Sequence, residues 1–210
     1  VRAAAGYVET IAKAVHFANH QGTYHRDLKP TNILIDEFEE PHITDFGLVC
    51  HSDSDENLTL TGQIVGTPAF MAPEQVAAKS KLVSPITDIY ATGAILYYLL
   101  TQKAPFTSDT LPGLLALVAG PSPPVSPRSL NPTVPLDLET ICLKCLEKRP
   151  DRRYPSAQAL ADELKRFRRN EPILARPPHA AEKVLRGCAR NRTEERRVGK
   201  ECRSLWSPYH

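Results

Sequence analysis

The chain of 210 residues is 41% hydrophobic and 24% charged, which is the composition of an ordinary soluble globular protein. Of its 26 Lys and Arg and 24 Asp and Glu, residues 179–210 hold 8 and 4, which leaves 18 and 20 in residues 1–178. The main body therefore has no basic surplus that would indicate nucleic-acid binding, and the five irregularly spaced cysteines argue against a disulfide framework.

The first third of the chain is predicted to contain one long helix and one hairpin. Apolar residues recur at helical spacing over residues 3–20, so this segment is predicted to be an amphipathic helix. The segment NILID (32–36) is predicted to be a short strand, paired with residues 42–44 across an acidic turn. Residues 45–73 lack periodicity and are rich in small polar residues, which is typical of a functional or disordered segment.

The rest of the chain is predicted to be helical around one buried element. Segment 84–100 is strongly apolar on nearly all sides, with Pro85 in its first turn and Asp88 as its one charged residue, so a buried central helix is predicted. Three further helices are predicted at 111–118, 136–147 and 156–168. The proline-rich stretch 121–135 is predicted to be a loop, and the apolar pattern weakens into a linker after residue 169.

The sequence supports neither a cysteine metal site nor a membrane-spanning helix. Cys142 and Cys145 form a lone CxxC with no second pair, so they are predicted to lie on a buried helix face and to bind no metal. The longest apolar run lies within residues 89–100 and is too short to span a bilayer.

The stretch HRDLKPTN (25–32) carries the residue types that phosphoryl transfer requires: a proton acceptor, oxygen ligands for Mg²⁺ and a positive charge near the γ-phosphate. Asp27 could accept the proton of a hydroxyl group. Lys29, two residues further along an extended loop, would point the same way, towards a phosphate. Asn32 offers a neutral oxygen to a metal, and Asp45 adds a hard carboxylate. The predicted hairpin folds the chain back, so Asn32 and Asp45 are expected to meet.

Six motifs together resemble the C-terminal lobe (C-lobe) of bacterial eukaryotic-type serine/threonine protein kinases. They are HRDLKPTN, NILID, ITDFG, GTPAFMAPE, DIYATGAILYYLLTQKAPF and RPDRRYPSA, in that order and at the family's spacing over roughly residues 3–169. The resemblance implies an α+β, mainly α, protein-kinase-like fold, present as the C-lobe only, with short β-hairpins around the catalytic loop. It also implies ATP-dependent phosphorylation of Ser or Thr on protein substrates, with ATP and Mg²⁺ as cofactors.

The resemblance assigns roles to the matching residues. Asp27 resembles the catalytic base, Lys29 the contact to the γ-phosphate, and Asn32 and Asp45 the Mg²⁺ ligands. Leu34 resembles the floor under the adenine. The other matches are structural: His25 and Phe46 in the internal spine, Gly47 in DFG, Thr67 as the threonine that bonds the base, and Asp88 as the buried carboxylate that holds the catalytic loop through its backbone.

Two further expectations concern the segment between DFG and APE and its anchor. A phosphate on Thr59 or Thr61 is expected to pair with Arg26 and to order the segment. Glu74, which closes APE, and Arg153 resemble the residues of a buried ion pair beneath this segment. Arg153 is chosen over Arg152 because it stands just before the aromatic residue of RRYPSA.

The glycine-rich phosphate loop, the strand lysine and the partner glutamate that the family places ahead of the first helix are absent from the sequence. We therefore expect a fragment that is inactive alone, with residues 1–169 as a partial kinase domain whose partner is the N-terminal lobe (N-lobe) of the same kinase. Residues 170–191 are predicted to be a linker that resembles a juxtamembrane region. This resemblance supports a membrane-anchored parent with a cytoplasmic kinase domain as a hypothesis.

The last residues of the chain resemble translated adapter DNA. The DNA GAAGAGCGTCGTGTAGGGAAAGAGTGT translates as EERRVGKEC, which is residues 194–202, and it resembles an adapter oligonucleotide of short-read sequencing. Further translation gives RSRWSPYH, against RSLWSPYH in the chain. Residues 192–210 are therefore interpreted as a non-native, adapter-derived tail. A natural basic tail is the alternative.

Two other functions remain open at this level. One is a pseudokinase that binds partners without chemistry, which is disfavoured by the intact set Asp27, Lys29, Asn32 and Asp45. The strand lysine is not in the sequence, and its absence from the parent would favour a pseudokinase. A small-molecule phosphotransferase is disfavoured because such enzymes usually lack the APE segment.

Overall fold

Helices dominate the residues that the structure, a computed structural model, describes: 1–46, 68–77 and 84–175. The α-helices are α1 (Arg2–His20), α2 (Pro73–Val76), α3 (Pro85–Thr101), α4 (Leu111–Ala119), α5 (Pro127–Leu130), α6 (Leu136–Cys145) and α7 (Ala157–Arg168). Single 3₁₀ turns occur at Pro30–Asn32, Pro68–Phe70 and Pro150–Arg152, and the strands are β1 (Ile33–Ile35) and β2 (Pro41–Ile43). The mainly helical α+β class expected from the sequence is confirmed.

Helix α3 lies at the centre of the fold and is buried along most of its length, as its apolar composition predicts. It packs against α1, α6 and α7. Its start is fixed by Pro85 in the first turn and by Ser84, whose Oγ accepts a hydrogen bond from the Ile86 N–H at 3.3 Å. Gly93 allows α6 to come close, because a Cβ there would lie 2.2 Å from the Cβ of Cys145.

Helices α1 and α7 pack side by side and join the start of the described chain to its end. One face of α1 is buried, and on it the Glu9 carboxylate forms ion pairs with Lys13 at 2.5 Å and with Arg168 of α7 at 2.7 Å. Ser156 starts α7, since its Oγ accepts a hydrogen bond from the Ala159 N–H at 3.1 Å.

The hairpin β1–β2 is antiparallel, with Ile33 opposite Ile43 and Ile35 opposite Pro41. Its turn is closed by Asp36, whose Oδ1 accepts hydrogen bonds from the N–H groups of Phe38 and Glu40 at 2.9 and 2.8 Å. The hairpin therefore follows the predicted pairing and returns the chain to the side of residue 32.

Two parts of the fold differ from the sequence-based expectation. The proline-rich stretch expected as a loop contains the short helix α5, which Pro127 can begin because its fixed φ suits the first helical turn. Residues 170–175, at the start of the predicted linker, also pack on the body. Ile173 is buried in the core, and Leu174 and Ala175 donate their N–H groups to the buried Glu163 carboxylate at 2.7 and 2.8 Å. The predicted linker thus begins with residues that contact α7.

Within the described ranges, no helix is both long and apolar enough to cross a bilayer. Cys142 and Cys145 are both buried. In the same ranges, no group of three or more His, Cys, Asp or Glu side chains is placed to hold a metal ion.

Candidate active site

One buried carboxylate binds the backbone of the loop that carries HRDLKPTN. Asp88, in the first turn of α3, accepts the N–H of His25 on Oδ2 and the N–H of Arg26 on Oδ1, both at 3.0 Å. Burial raises the pKa of Asp88, and the two N–H groups act in the opposite direction. The loop is thus tied through its backbone to the central helix, which is the arrangement expected for Asp88.

The proton acceptor, the cation and the amide of the loop form one cluster. Lys29 Nζ lies 2.6 Å from Asp27 Oδ2, and Asn32 Nδ2 donates to the Asp27 carbonyl at 2.9 Å. The Asp27 side chain is partly exposed, whereas Asn32 is buried. Since the amide nitrogen of Asn32 faces the loop, its oxygen remains the group that a metal could use.

The hairpin brings the second candidate metal ligand to the same place. Thr44, which directly precedes Asp45, donates its N–H to the Asn32 carbonyl at 2.9 Å. Asp45 is exposed and has a φ of 62°, a left-handed conformation that is uncommon outside glycine. Asn32 and Asp45 therefore lie on neighbouring segments, and their joint binding of one metal ion stays a prediction.

His25 and Phe46 contact each other beneath the loop. Their ring centroids are 4.9 Å apart in an edge arrangement, and His25 Nε2 donates to the Thr44 carbonyl at 2.9 Å. The contact joins the HRD loop to the DFG segment, which fits the spine role expected for the two rings. Leu34, the expected adenine floor, is 57% exposed on β1.

The oxygen donors at this site fit Mg²⁺. Asn32 supplies an amide oxygen and Asp45 a carboxylate, and magnesium is typically held by one or two carboxylates together with substrate phosphates and water. The ammonium of Lys29 suits a phosphate oxygen. These residues can hold the metal and phosphates from one side.

The expected ion pair between Glu74 and Arg153 is present and is bidentate. Arg153 Nη1 lies 2.7 Å from Glu74 Oε1, and Nη2 lies 2.8 Å from Oε2. The side chains are 0% and 3% exposed, respectively. Burial raises the pKa of Glu74, but hydrogen bonds from Arg153 and its positive charge outweigh burial and hold the pKa below its ordinary value.

The remaining donors of Arg153 bond to the surrounding backbone. They contact the carbonyls of Glu147 at 2.8 Å, Ile86 at 3.2 Å and Lys148 at 3.3 Å. Five hydrogen bonds use all the N–H groups of the guanidinium. The pair therefore fixes α2 to α3 and to the segment before α7.

Three residues that the sequence did not single out complete this part of the molecule. Thr87 Oγ1 donates to Glu74 Oε1 at 3.0 Å, the Arg153 guanidinium lies 4.9 Å above the Tyr90 ring, and the Gln75 side chain contacts the HRD loop. Thr87 directly precedes Asp88 on α3, Tyr90 follows it by two residues, and Gln75 directly follows Glu74. Adjacency to assigned residues was the only available signal.

Four of the predicted residues lie outside the described ranges: Gly47, Thr59, Thr61 and Thr67. The roles that the resemblance assigns to them remain predictions.

The family model of the protein kinase domain matches residues 2–164 of the chain. Curated bacterial relatives match the same region. The chain is 37% identical over 164 residues to a probable serine/threonine-protein kinase of Clostridium acetobutylicum, covering 78% of this chain and 24% of that protein. It is 44% identical over 151 residues to the DNA damage-responsive serine/threonine-protein kinase RqkA of Deinococcus radiodurans, covering 71% and 22%.

The serine/threonine-protein kinase PknB of Mycobacterium tuberculosis is 34% identical over 169 residues, covering 79% of this chain and 26% of PknB. The chain thus spans about a quarter of the length of these three curated relatives.

Proposed function

The chain belongs to the protein kinase family, and we propose that it contributes the C-lobe of an enzyme that transfers phosphate from ATP to Ser or Thr of protein substrates. The observation that supports this proposal most strongly is the cluster of Asp27, Lys29 and Asn32, with Asp45 on the next segment. Lys29 Nζ lies 2.6 Å from Asp27 Oδ2, so a phosphate bound by Lys29 would lie close to the Asp27 carboxylate.

In this proposal, Asp27 orients the acceptor hydroxyl and takes its proton, and Lys29 stabilises negative charge on the transferred phosphate. Asn32 and Asp45 hold Mg²⁺. When bound, Mg²⁺ neutralises the charge of the ATP phosphates. The buried pair of Glu74 and Arg153 fixes α2, which is proposed to be part of the surface where the substrate peptide lies.

We propose that the upper half of the ATP site comes from an N-lobe of the same kinase. The matched residues provide the loop, the metal ligands and the floor residue Leu34, but neither a glycine-rich phosphate loop nor a strand lysine is found in the sequence. The complete kinase, meaning this chain joined to its N-lobe, is expected to act on proteins. The 210-residue chain alone is expected to show no ATP turnover.

The test is phosphate transfer from labelled ATP by the complete kinase, followed by phosphoamino acid analysis of a protein mixture. Label on serine and threonine that requires Mg²⁺ is the expected result, with the 210-residue chain as the inactive comparison. Turnover by the 210-residue chain alone would contradict the need for an N-lobe. Label confined to tyrosine or to small molecules would contradict the proposed acceptor.

We also propose a boundary for the natural sequence and a location for the parent. Residues 192–210 are proposed to be non-native, a proposal that rests on the match to translated adapter DNA, and resequencing the gene from its source tests it.

The kinase domain is proposed to be cytoplasmic and the parent membrane-anchored, on the basis of the juxtamembrane-like residues 170–191. Fractionation of the complete protein between membrane and soluble pools tests this second proposal.

A further inference from the structure

The side-chain amide of Gln75 connects α2 to the loop that carries HRDLKPTN. Its Nε2 donates to the carbonyl of Arg26 at 2.6 Å, and its Oε1 accepts the N–H of Ala72 at 3.0 Å. The two bonds use opposite ends of the same planar group. One side chain thus links the start of α2 to a loop that lies 49 residues earlier in the chain.

The carbonyl that Gln75 contacts belongs to the peptide group that leads into Asp27. The other end of this group is the Asp27 N–H, which donates to the His25 carbonyl at 2.8 Å. Gln75 therefore holds the peptide plane from its oxygen side, while His25 holds it from its nitrogen side. The orientation of this plane sets the direction in which the Asp27 side chain leaves the backbone.

The backbone at Arg26 needs such support. Its φ is 62°, a conformation that costs free energy in residues other than glycine and persists when neighbouring groups fix it. Asp88 fixes the N–H of Arg26 from α3, and Gln75 fixes its carbonyl from α2. The strained residue is thus held on both sides by side chains of two different helices.

The anchor of Gln75 is itself rigid. Glu74, its neighbour on α2, is locked in the buried bidentate pair with Arg153. Adjacent residues on this short helix therefore point to different partners, Glu74 to the core and Gln75 to the loop. A shift of α2 would be transmitted to the Arg26 carbonyl.

We propose that Gln75 is a positioning residue for Asp27, coupling the position of α2 to the orientation of the catalytic base. The inference rests on the proposed function for the role of Asp27, but the contact itself can be tested without activity. Glutamine suits the position because it offers both a donor and an acceptor. Glutamate keeps the acceptor and loses the donor, and methionine keeps the approximate shape and loses both.

The first test uses amide hydrogen exchange in the 210-residue chain. In Gln75→Met, the Asp27 amide should exchange at least about fivefold faster, the factor for one hydrogen bond of about 1 kcal/mol. Gln158→Met is the matched control, because it removes an exposed amide bond to Asp162 on α7. The Thr44 amide, bonded to Asn32, should keep its wild-type rate in both variants.

Two results of this test would overturn the inference. One is an exchange rate of the Asp27 amide in Gln75→Met that equals its exchange rate in Gln158→Met. The other is an equal acceleration at Thr44, which would show general loosening of the hairpin in place of a local effect.

The second test compares kcat across pH in the complete kinase. At neutral pH, Gln75→Glu and Gln75→Met should each lower kcat by about tenfold or more, with little change in KM for ATP, because a misplaced catalytic group slows the chemical step. At lower pH the Gln75→Glu carboxyl gains a proton and again can donate to the Arg26 carbonyl. The ratio of its kcat to that of the wild type should therefore rise, while the Gln75→Met ratio stays flat.

Parallel pH profiles for the two variants would contradict the positioning role, since a purely structural loss does not depend on that proton. If the wild-type complete kinase transfers no phosphate, the proposed function fails. The exchange rate of the Asp27 amide then still decides whether Gln75 holds the loop.

Discussion

Replacing Arg153 by methionine removes the guanidinium and keeps a side chain that can occupy part of the same volume. The Glu74 carboxylate would remain buried with the Thr87 hydroxyl as its one remaining side-chain donor among the described residues. Three backbone carbonyls would also lose the N–H groups that they accept. The perturbation thus leaves a buried carboxylate without its counter-charge and removes one hydrogen bond from each of three carbonyls.

Breaking a buried pair in this way typically costs about 3–5 kcal/mol. The estimate applies here because the two side chains are 0% and 3% exposed and water cannot replace the lost donors. With a urea m-value of about 2 kcal/mol/M, the unfolding midpoint should fall by about 1.5–2.5 M.

The assay is urea unfolding of the 210-residue chain, followed by circular dichroism. Arg149→Met is the matched control, because Arg149 also makes a bidentate contact, with Asp151 at 3.0 and 2.7 Å, but the two side chains are 64% and 63% exposed. Its midpoint should stay close to that of the wild type. A midpoint shift in Arg153→Met no larger than that in Arg149→Met would show that burial does not raise the cost of breaking the Glu74–Arg153 pair.

Two further predictions come from the structure and a third comes from the sequence. The pKa of Glu74 is lowered in the folded state, so the ionised carboxylate contributes its full stability above its ordinary pKa near 4.5. This contribution is lost as the pH falls through the lowered pKa. In Glu74→Gln, the unfolding free energy should therefore decrease less over that pH range than it does in the wild type. Gly93→Ala should destabilise by about 1–3 kcal/mol in thermal unfolding, because its Cβ would lie 2.2 Å from that of Cys145; an unchanged melting temperature would contradict the packing argument. Phosphopeptide mapping of the active complete kinase should find phosphate on Thr59 or Thr61, and phosphate on neither would contradict the predicted switch.

The helices and the hairpin could be predicted because their signals are local. The periodicity over residues 3–20, the apolar segment 84–100 and the turn at Asp36 each depend on neighbours within a few positions. The pair of Glu74 and Arg153 is not local, since 79 residues separate them, and it was accessible only through the resemblance of two motifs.

The parts that were missed depend on three-dimensional placement. Gln75 contacts a loop 49 residues away, and Glu163 binds the N–H groups of the segment after α7. Nothing in the local sequence distinguishes either residue from a solvent-exposed residue on a helix. Helix α5 was missed for a different reason, because prolines that usually mark loops can also begin a helix.

The loop that carries HRDLKPTN gives the most direct test of the proposed chemistry. Single-turnover phosphate transfer by the complete kinase should be compared between Asp27→Asn and Asp36→Asn. Asp36 closes the exposed hairpin turn, and asparagine can keep its acceptor oxygen there, so this control should retain the wild-type rate. We expect Asp27→Asn to lower the rate by about 10²–10⁴-fold, the usual contribution of a general base. A wild-type rate in Asp27→Asn would contradict the assignment of Asp27 as the catalytic base.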